Sequence, residues 1–421
     1  MLSNFPIDKS QPTTRNIREA NRLQILHQLL LRKNGTRQEL TQLTGLSNAT
    51  VANLIASMLE EGLVVETGTA ASQGGRPTSI LAVNASAGAC VGVDVAETYI
   101  RFELYDLALQ NLAEHEIELP STRKEPQEIV NLIVSGFNTL LDLSGLAHDQ
   151  VVGVGISIPG PFEHSTGVSV FAPSWGWRDV PLQAMLEKEL NLPLYMDNPL
   201  KFNALAEAWF GAGRGVETMA AVVLGTGVGV GLVINGQLFR GASNTAGEWG
   251  HSVIVAGGRP CRCGNRGCLE AYVGAPGILQ TLAETDPKSP LLFADDQSRS
   301  IAAIAVAAEQ GDLTAKTVVQ QTALYLSAGL SSLINILNPE QVILGSWVAG
   351  LLGSVMLPEL LKLIEKQSLA QSYKSVQFIL SKMNRNPVSL GAATMVLEEF
   401  LANAGRQAGP IRSESFSAVK P

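Results

Sequence analysis

Three of the four cysteines in this 421-residue chain lie within eight residues, and a histidine stands ten residues before them. The four residues are His251, Cys261, Cys263 and Cys268. Three thiolates and one imidazole match, in number and kind, the ligands of a closed tetrahedral zinc site. Gly264 and Gly267 suit a loop that turns back sharply, because glycine tolerates left-handed backbone. We predict about one structural Zn²⁺ per chain; the alternative is a loop of buried free cysteines or a disulfide.

Charge is distributed unevenly along the chain. The net charge of −8 argues against a protein that coats nucleic acid with its whole surface. Residues 1–59 nevertheless carry seven Lys and Arg against three Asp and Glu, a net +4, which leaves −12 on the rest. Contact with nucleic acid is therefore expected from the N-terminal part alone.

Residues 15–83 have the pattern of a winged helix-turn-helix, an α+β domain. Apolar residues recur with a helical period over residues 16–31. Thr36 and Glu39 form a capping box before a second helix, and Ser47, after a short turn, caps a third. Two helices joined by such a turn are a helix-turn-helix motif.

The start of the third helix is expected to enter the major groove, and the start of the second to meet phosphates. The predicted DNA-binding residues are Thr36, Arg37, Ser47, Asn48, Ala49, Thr50, Asn53 and Arg76. Asparagine can read adenine, and threonine can contact a phosphate or a thymine methyl group. The alternative is a protein contact, which winged helices also make.

Arg76 lies in a Gly-Gly-Arg-Pro sequence between two predicted strands, residues 63–66 and 80–83. The loop between them would be the wing. Gly-Arg-Pro resembles the core of AT-hooks, in which a thin backbone carries an arginine into a narrow minor groove. We predict that role for Arg76; alternatively, these residues only form a turn.

From residue 89 onward, strands and helices alternate, which indicates an α/β fold. Residues 90–95 and 100–105 predict a hairpin, residues 126–141 a helix and residues 151–158 a buried strand. A glycine run, Gly-Thr-Gly-Val-Gly-Val-Gly, occupies residues 225–231.

These motifs together resemble the ROK family of repressors, open reading frames and sugar kinases. The resemblance rests on the winged helix, the glycine run, Glu-Trp-Gly-His at 248–251 and the cysteine cluster with Glu270, and it spans about Asn16 to Phe400. It implies two actin-like, ribonuclease-H-like lobes with a sugar cleft between them. The winged helix is typical of the repressor branch, which responds to glucose, N-acetylglucosamine or xylose.

The resemblance also implies domain boundaries. Residues 1–14 and 403–421 are expected to be flexible, residues 15–83 to bind DNA, residues 84–197 with 385–402 to form the smaller lobe, and residues 198–384 the larger lobe with the zinc site.

Two nucleotide-binding motifs of the family's kinases are altered here. Their first phosphate loop reads Asp-x-Gly-Gly-Thr, whereas residues 94–98 read Asp-Val-Ala-Glu-Thr. Glu97 would place negative charge against phosphate oxygens. Trp347 stands where a glycine-rich turn lies under the adenosine. The second phosphate loop, residues 225–229, is intact and is interpreted as a structural remnant.

The catalytic aspartate of these kinases follows an asparagine, and here Pro199 follows Asn198. Proline has neither a proton acceptor nor a backbone N–H. The resemblance therefore implies a protein that is not an enzyme. The alternative is a register shift that lets Asp197 act as the base.

The family's sugar-binding positions are better retained. By position in the motifs they correspond to Gly160, Asn198, Glu248, His251 and Glu270. Carboxylates accept hydrogen bonds from sugar hydroxyls, and an imidazole N–H can donate one. The alternative for the two glutamates is that they orient the zinc ligands. Ser174, where many relatives have Asn, leaves the sugar undetermined.

We therefore predict a sugar-responsive transcriptional repressor with a catalytically inactive ROK body. Its expected partners are double-stranded operator DNA, a sugar or sugar-phosphate effector, and copies of itself in a homodimer or tetramer. The alternative effector partner is a phosphotransfer-system protein. One alternative is an active ATP-dependent sugar kinase with a regulatory DNA-binding head. Another is a ligand-independent DNA-binding or scaffold protein.

The expected location is the cytoplasm, on the nucleoid when DNA is bound. Few cysteines in one cluster suit a reducing compartment. Residues 1–14 lack the pattern of a signal peptide, and no stretch approaches roughly 20 uninterrupted apolar residues. No membrane insertion is expected.

Overall fold

A computed structural model describes residues 14–70, 78–119, 124–172, 174–294 and 296–403. The predictions for residues 1–13, Arg76 and the tail beyond residue 403 lie outside these ranges. The described residues form two compact units: a central unit, residues 203–385, and a terminal unit, made of the residues before and after it. The boundaries predicted from the sequence follow residues 197 and 384.

The described residues up to 83 contain three helices and a three-stranded antiparallel sheet of order β1-β3-β2. The elements are α1 (Thr14–Arg32), β1 (Gly35–Thr36), α2 (Arg37–Thr44), α3 (Asn48–Glu60), β2 (Val64–Ala70) and β3 (Thr78–Val83). Leu26, Leu40 and Ile55, one from each helix, are buried. The capping box at Thr36 and the Ser47 cap both form. The winged helix-turn-helix fold is confirmed.

An α/β lobe follows in the same unit. Its elements are β4 (Ala89–Val95), β5 (Tyr99–Asp106), β6 (Asn111–Glu118), α4 (Pro126–Ser144), β7 (Val151–Ser157), β8 (Phe162–Glu163), β9 (Val168–Ala172), β10 (Trp177–Val180), α5 (Leu182–Leu190), β11 (Leu194–Asp197) and the start of α6 (Pro199–Phe210). The main sheet has the order β11-β7-β4-β5-β6, and β8, β9 and β10 form a small antiparallel sheet. Strands β4, β7 and β11 are parallel, so their carboxyl ends meet at one edge.

The central unit repeats this arrangement. After the rest of α6 it contains β12 (Met219–Leu224), β13 (Val228–Ile234), β14 (Gln237–Phe239), α7 (Glu270–Val273), α8 (Ala275–Thr285), α9 (Gln297–Glu309), α10 (Leu313–Leu337), β15 (Gln341–Gly345), α11 (Ser346–Gln367), α12 (Ala370–Ser375) and β16 (Gln377–Leu380). Its sheet order is β14-β13-β12-β15-β16. In both sheets the first strand is central, the second and third lie on one side, and the fourth and fifth on the other. This confirms the two ribonuclease-H-like lobes of an actin-like fold.

One helix among the described residues, α11, is long and apolar enough to cross a membrane by length and composition. Core helices of soluble proteins pass the same test. Val348, Leu352 and Leu360 on α11 are buried in the core of the central unit, where the helix packs against α9 and α10.

The last described helix, α13 (Pro387–Ala402), returns the chain to the terminal unit. It lies directly on β4 and β7: a Cβ added to Gly92 would be 1.9 Å from Ser389 O, and one on Gly155 would be 2.2 Å from Ala392 O. Helix α13 also contacts α1. The first and last described helices thus pack together.

Candidate functional site

The cysteine cluster and its histidine converge in the central unit. One donor atom from each of His251, Cys261, Cys263 and Cys268 lies within 4.8 Å of the other three. Cys263 Sγ is 3.8 Å from Cys268 Sγ, and Cys261 Sγ is 3.6 Å from His251 Nδ1. Zn–S bonds of about 2.3 Å give a tetrahedral edge of about 3.8 Å. None of the cysteines forms a disulfide. The cluster can bind a metal ion.

The local backbone fits such a site. Gly264 and Gly267 have φ of 96° and 80°, and a Cβ on Gly267 would lie 1.7 Å from Val255 O. Burial raises the pKa of the Cys261 thiol to about 12 and also raises the pKa of Cys268. A bound divalent metal would deprotonate both thiols, so binding would release protons.

His251 links the cluster to the first of the two glutamates. Its Nδ1 faces Cys261, while Nε2 is 3.9 Å from Glu248 Oε2. Both side chains are partly exposed. Glu248 is therefore placed to orient the imidazole ring or to share a ligand with it.

Glu270 is enclosed by groups of the same unit. Its Oε1 accepts a hydrogen bond from Arg262 Nε at 3.0 Å, and its Oε2 accepts one from Val228 N at 2.9 Å. Cys261 Sγ is 3.9 Å from Oε1. The Glu270 side chain is 8% exposed. It thus joins the cysteine loop to the glycine loop between β12 and β13.

The glycine loop is covered at both ends by side chains. A Cβ on Gly227 would lie 2.7 Å from Arg262 Nη2, and one on Gly225 would lie 3.2 Å from Trp347 Nε1. Trp347 therefore occupies space beside the loop, as the sequence suggested. Arg262, between two of the candidate metal ligands, was not singled out in the sequence.

The equivalent loop of the terminal unit connects β4 and β5. Asp94, at the end of β4, is buried, and its Oδ2 accepts hydrogen bonds from Tyr99 Oη and Asn386 Nδ2, both at 2.9 Å. Burial raises the pKa of Asp94 above its usual value, although both hydrogen bonds oppose this. Asp94 thus ties the loop to the start of α13.

Asn198 and Asp197 lie at the carboxyl end of β11. Asn198 is 1% exposed, and its Oδ1 accepts from Lys201 N at 3.3 Å at the start of α6. Asp197 is fully buried; its Oδ1 accepts from Asn198 N at 2.8 Å and its Oδ2 lies 3.0 Å from His164 Nε2. The Asp197 carboxylate is therefore engaged within the terminal unit. Pro199 begins α6.

Gly160 follows β7 in the same unit. Its φ is 83°, and a Cβ there would lie 2.0 Å from Phe171 O on β9. The position requires glycine for backbone packing, whether or not a ligand is also bound there.

The predicted DNA-binding residues fall into two groups. Asn48, Ala49 and Asn53 are exposed on α3. Ser47 Oγ accepts from Thr50 N at 3.1 Å and contacts Thr50 Oγ1 at 2.8 Å. Asn48, Ala49 and Asn53 make no such capping bonds, and the two asparagines present polar side chains to solvent.

The residues at the start of α2 are also engaged in local contacts. Thr36 Oγ1 and N both donate to Glu39 Oε2, at 2.9 and 2.7 Å. Arg37 Nη2 lies 3.5 Å from Glu66 Oε1 on β2. This pair is exposed, so a phosphate could displace it at little cost.

Comparison with known proteins places this geometry in a family. The ROK family model matches residues 90–399. A putative xylose repressor of Caldicellulosiruptor sp. (strain Rt8B.4) is 31% identical over 390 residues, 92% of this chain and 97% of its own. A glucokinase of Halalkalibacterium halodurans is 33% identical over 316 residues, 73% of this chain and 95% of its own. A crystal structure of a ROK family transcriptional regulator, a homolog of the E. coli MLC protein, aligns with a TM-score of 0.77 at 24% identity, covering 92% of this chain and 98% of that one.

The chain belongs to the ROK family, and the resemblance expected from the sequence is confirmed. The likeness to the regulator shows a shared fold over 92% of this chain. Relatives of both kinds, repressors and kinases, share the body.

Proposed function

We propose that this protein is a sugar-responsive transcriptional repressor whose winged helix binds operator DNA and whose ROK body senses the effector without phosphorylating it. The observation that carries the proposal is a winged helix with an exposed polar face on α3, joined to a ROK body over a length shared with a xylose repressor. Asn48, Ala49 and Asn53 read bases in the major groove, and Arg37 meets phosphate. Arg76 is assigned to the minor groove.

We infer that the body does not catalyse phosphoryl transfer. A kinase requires open phosphate loops and a carboxylate base beside the sugar hydroxyl. Pro199 replaces the base, and Asp197 is held by Asn198 N and His164. Trp347 and Arg262 lie against the remaining glycine loop. These contacts support a sensor that is not an enzyme.

Zn²⁺ is the metal that the donor set favours, because three thiolates and one imidazole are a common structural zinc set. Cys261, Cys263, Cys268 and His251 Nδ1 would hold it. When bound, the ion supplies a fixed anchor for the loop, not a reactive centre. It would fix the His251 ring, with Glu248 beside it and Glu270 behind it.

The effector is a sugar, and a pentose such as xylose is the first candidate because the relative is called a xylose repressor. By position in the family motifs, the residues assigned to its hydroxyls are Gly160, Asn198, Glu248, His251 and Glu270. A sugar that binds one conformation more tightly shifts the population toward it, and DNA affinity changes by linkage. We assign a homodimer in the cytoplasm, since two winged helices fit two operator half-sites.

The test is operator binding in the presence of sugars. DNA fragments selected by the protein from a random pool are titrated with and without D-xylose, D-glucose, N-acetylglucosamine and their phosphates. One of these ligands should change DNA affinity at least about fivefold, a typical coupling energy. Asn53→Ala should weaken DNA binding without changing sugar binding, and Gln110→Ala in the β5–β6 turn is the matched surface control. If no sugar shifts either DNA binding or thermal stability, the proposal is wrong.

An ATP-dependent sugar kinase is the second candidate. The intact glycine loop and the 33% identity to a glucokinase favour it. A coupled assay for ADP with the same sugars decides between the two. Turnover at ordinary kinase rates, about 1–100 s⁻¹, would replace the repressor-only proposal.

A further inference from the structure

We propose that His164 is a sugar-contacting residue of the terminal unit and that Asp197 is its positioning residue. This inference rests on the proposed sugar-sensing function. Neither residue belongs to the positions that the family motifs assign to the sugar.

His164 and Asp197 form a hydrogen-bonded pair across 33 residues of sequence. His164 Nε2 lies 3.0 Å from Asp197 Oδ2, and the His164 side chain is 39% exposed whereas that of Asp197 is fully buried. The ring packs edge-on against Phe162, with centroids 5.5 Å apart. One ring edge is therefore fixed in the protein, and the partly exposed ring leaves Nδ1 as its second hydrogen-bonding atom.

The same carboxylate also fixes the predicted sugar residue. Asp197 Oδ1 accepts from Asn198 N at 2.8 Å while Oδ2 takes His164. The imidazole and Asn198 are thus held relative to each other by one buried group. Because the His164 ring and Asn198 are already held in place, they lose little conformational entropy when a ligand binds.

The place of the pair in the sheet is also that of a ligand site. Asp197 ends β11 and pairs in register with Ser157, which ends β7. Ligands of α/β sheets bind outside the carboxyl ends of parallel strands. At this edge Asn198 is nearly buried and accepts from Lys201 N. The partly exposed imidazole of His164 is therefore one polar group that lies close to this edge.

A purely structural role for His164 would be to pin the short hairpin between β8 and β9. The chain offers a matched control for that role. His148 Nε2 lies 3.0 Å from Leu190 O, and its ring packs edge-on against Phe137 at 5.8 Å. It makes the same two kinds of contact just before β7, at the opposite end of that strand.

The test combines substitutions in the protein with removal of single hydroxyls from the sugar, in the manner of a double-mutant cycle. Calorimetry on the full-length protein measures D-xylose and D-glucose, each with its monodeoxy analogues, against wild type, His164→Ala, His164→Gln and His148→Ala. His164→Ala should weaken the parent sugar about tenfold, the range of one ligand hydrogen bond. Wild type should bind deoxy analogues more weakly than the parent sugar. For one deoxy position this loss of affinity should be absent in His164→Ala. His164→Gln should recover part of the affinity.

The remaining outcomes separate two kinds of failure. If wild type binds a parent sugar but every deoxy penalty persists in His164→Ala, His164 does not touch the ligand and the inference is overturned. An equal loss in His148→Ala overturns it as well, since both variants would then act through folding. If wild type binds no sugar of the panel and none shifts operator binding, the proposed function fails and the inference falls with it. If His164→Ala does not fold, the cycle is run with His164→Phe, which keeps a ring to pack against Phe162 but has no hydrogen-bonding nitrogen.

Discussion

The two units carry hairpin loops at equivalent places, between β4 and β5 and between β12 and β13, that are held in different ways. The first contains no glycine, and Asp94 before it accepts hydrogen bonds from Tyr99 and Asn386. The second contains Gly225 and Gly227 and is flanked by Trp347 and Arg262. The first loop is thus anchored by hydrogen bonds to one carboxylate, whereas the second is bordered by side chains from other parts of its unit. A glycine motif is therefore informative only together with the side chains that face it.

The anchors of the two loops differ as well. The first is tied to the helix that also contacts α1, whereas the second is tied through Glu270 to the candidate metal loop. Substitutions at each anchor should therefore act on different parts of the protein.

The largest effect is expected for Cys268→Ser, which removes a buried candidate metal ligand two residues before Glu270. We expect loss of the bound zinc and a fall in Tm of about 10 °C or more, because metal binding contributes directly to folding free energy. Metal analysis and thermal denaturation measure both. Cys90→Ala, in β4, should keep the metal. Unchanged metal content in Cys268→Ser would refute the assigned site.

Glu270→Ala should have the next largest effect. It removes the Arg262–Glu270 hydrogen bond and the acceptor of the buried Val228 N–H, which costs about 2 kcal/mol. Tm should fall by about 4–8 °C, and hydrogen exchange at Val228 should accelerate while Ile100, beyond the first loop, is unaffected. Glu284→Ala breaks the exposed pair with Arg259 and is the control. Slow exchange at Val228 in Glu270→Ala would show that the carboxylate does not hold the loop.

Asp94→Asn tests the anchor of the first loop through pH. Burial raises the folded pKa of Asp94 above 3.8, so the folded state holds the proton more tightly than the unfolded state does. Wild-type stability from this group is full below pH 3.8 and is lost as pH rises through the folded pKa. The stability of Asp94→Asn relative to wild type should therefore increase with pH above about 4, measured by Tm.

Glu61→Gln is the control of opposite sign. The Arg22 hydrogen bond lowers the pKa of Glu61, whose contribution is present above 4.5 and lost as pH falls through its folded pKa. If the Tm differences of the two variants from wild type change with pH in the same direction, the opposite signs assigned to Asp94 and Glu61 are wrong.

The smallest effect is expected when two glycines are introduced into the first loop and a carboxylate at position 199. Ala96→Gly, Glu97→Gly and Pro199→Asp in one protein should give no ADP release above wild type, because the second loop is still covered. Adding Trp347→Gly and Arg262→Gly should then permit nucleotide binding, which calorimetry measures. Turnover by the triple variant alone would show that the covering side chains are no barrier.

Features encoded in short stretches were predictable from the sequence. The caps at Thr36 and Ser47, the hairpin from β4 and the four candidate metal ligands depend on local periodicity and on spacing within 18 residues. Trp347 was recognised because a motif position was occupied by the wrong kind of residue.

Contacts between distant positions were not predictable. His164 meets Asp197 across 33 residues, and Asp94 meets Asn386 across 292. Such pairs depend on how strands and helices pack, and no pattern in a single sequence marks them. Arg262 was missed for a different reason: it stood among residues already assigned to the metal.

The return of α13 to the terminal unit has a consequence for how the protein is made. The sheet of that unit receives its covering helix, and α1 its neighbour, only after residues 203–385 have been synthesised. At about 5–20 residues per second this delay is roughly 10–40 s. During that interval Gly92 and Gly155 lack the helix that packs on them. Nascent chains of this protein are thus expected to need protection of that surface until α13 has left the ribosome, and α1 gains its contact with α13 only after that point.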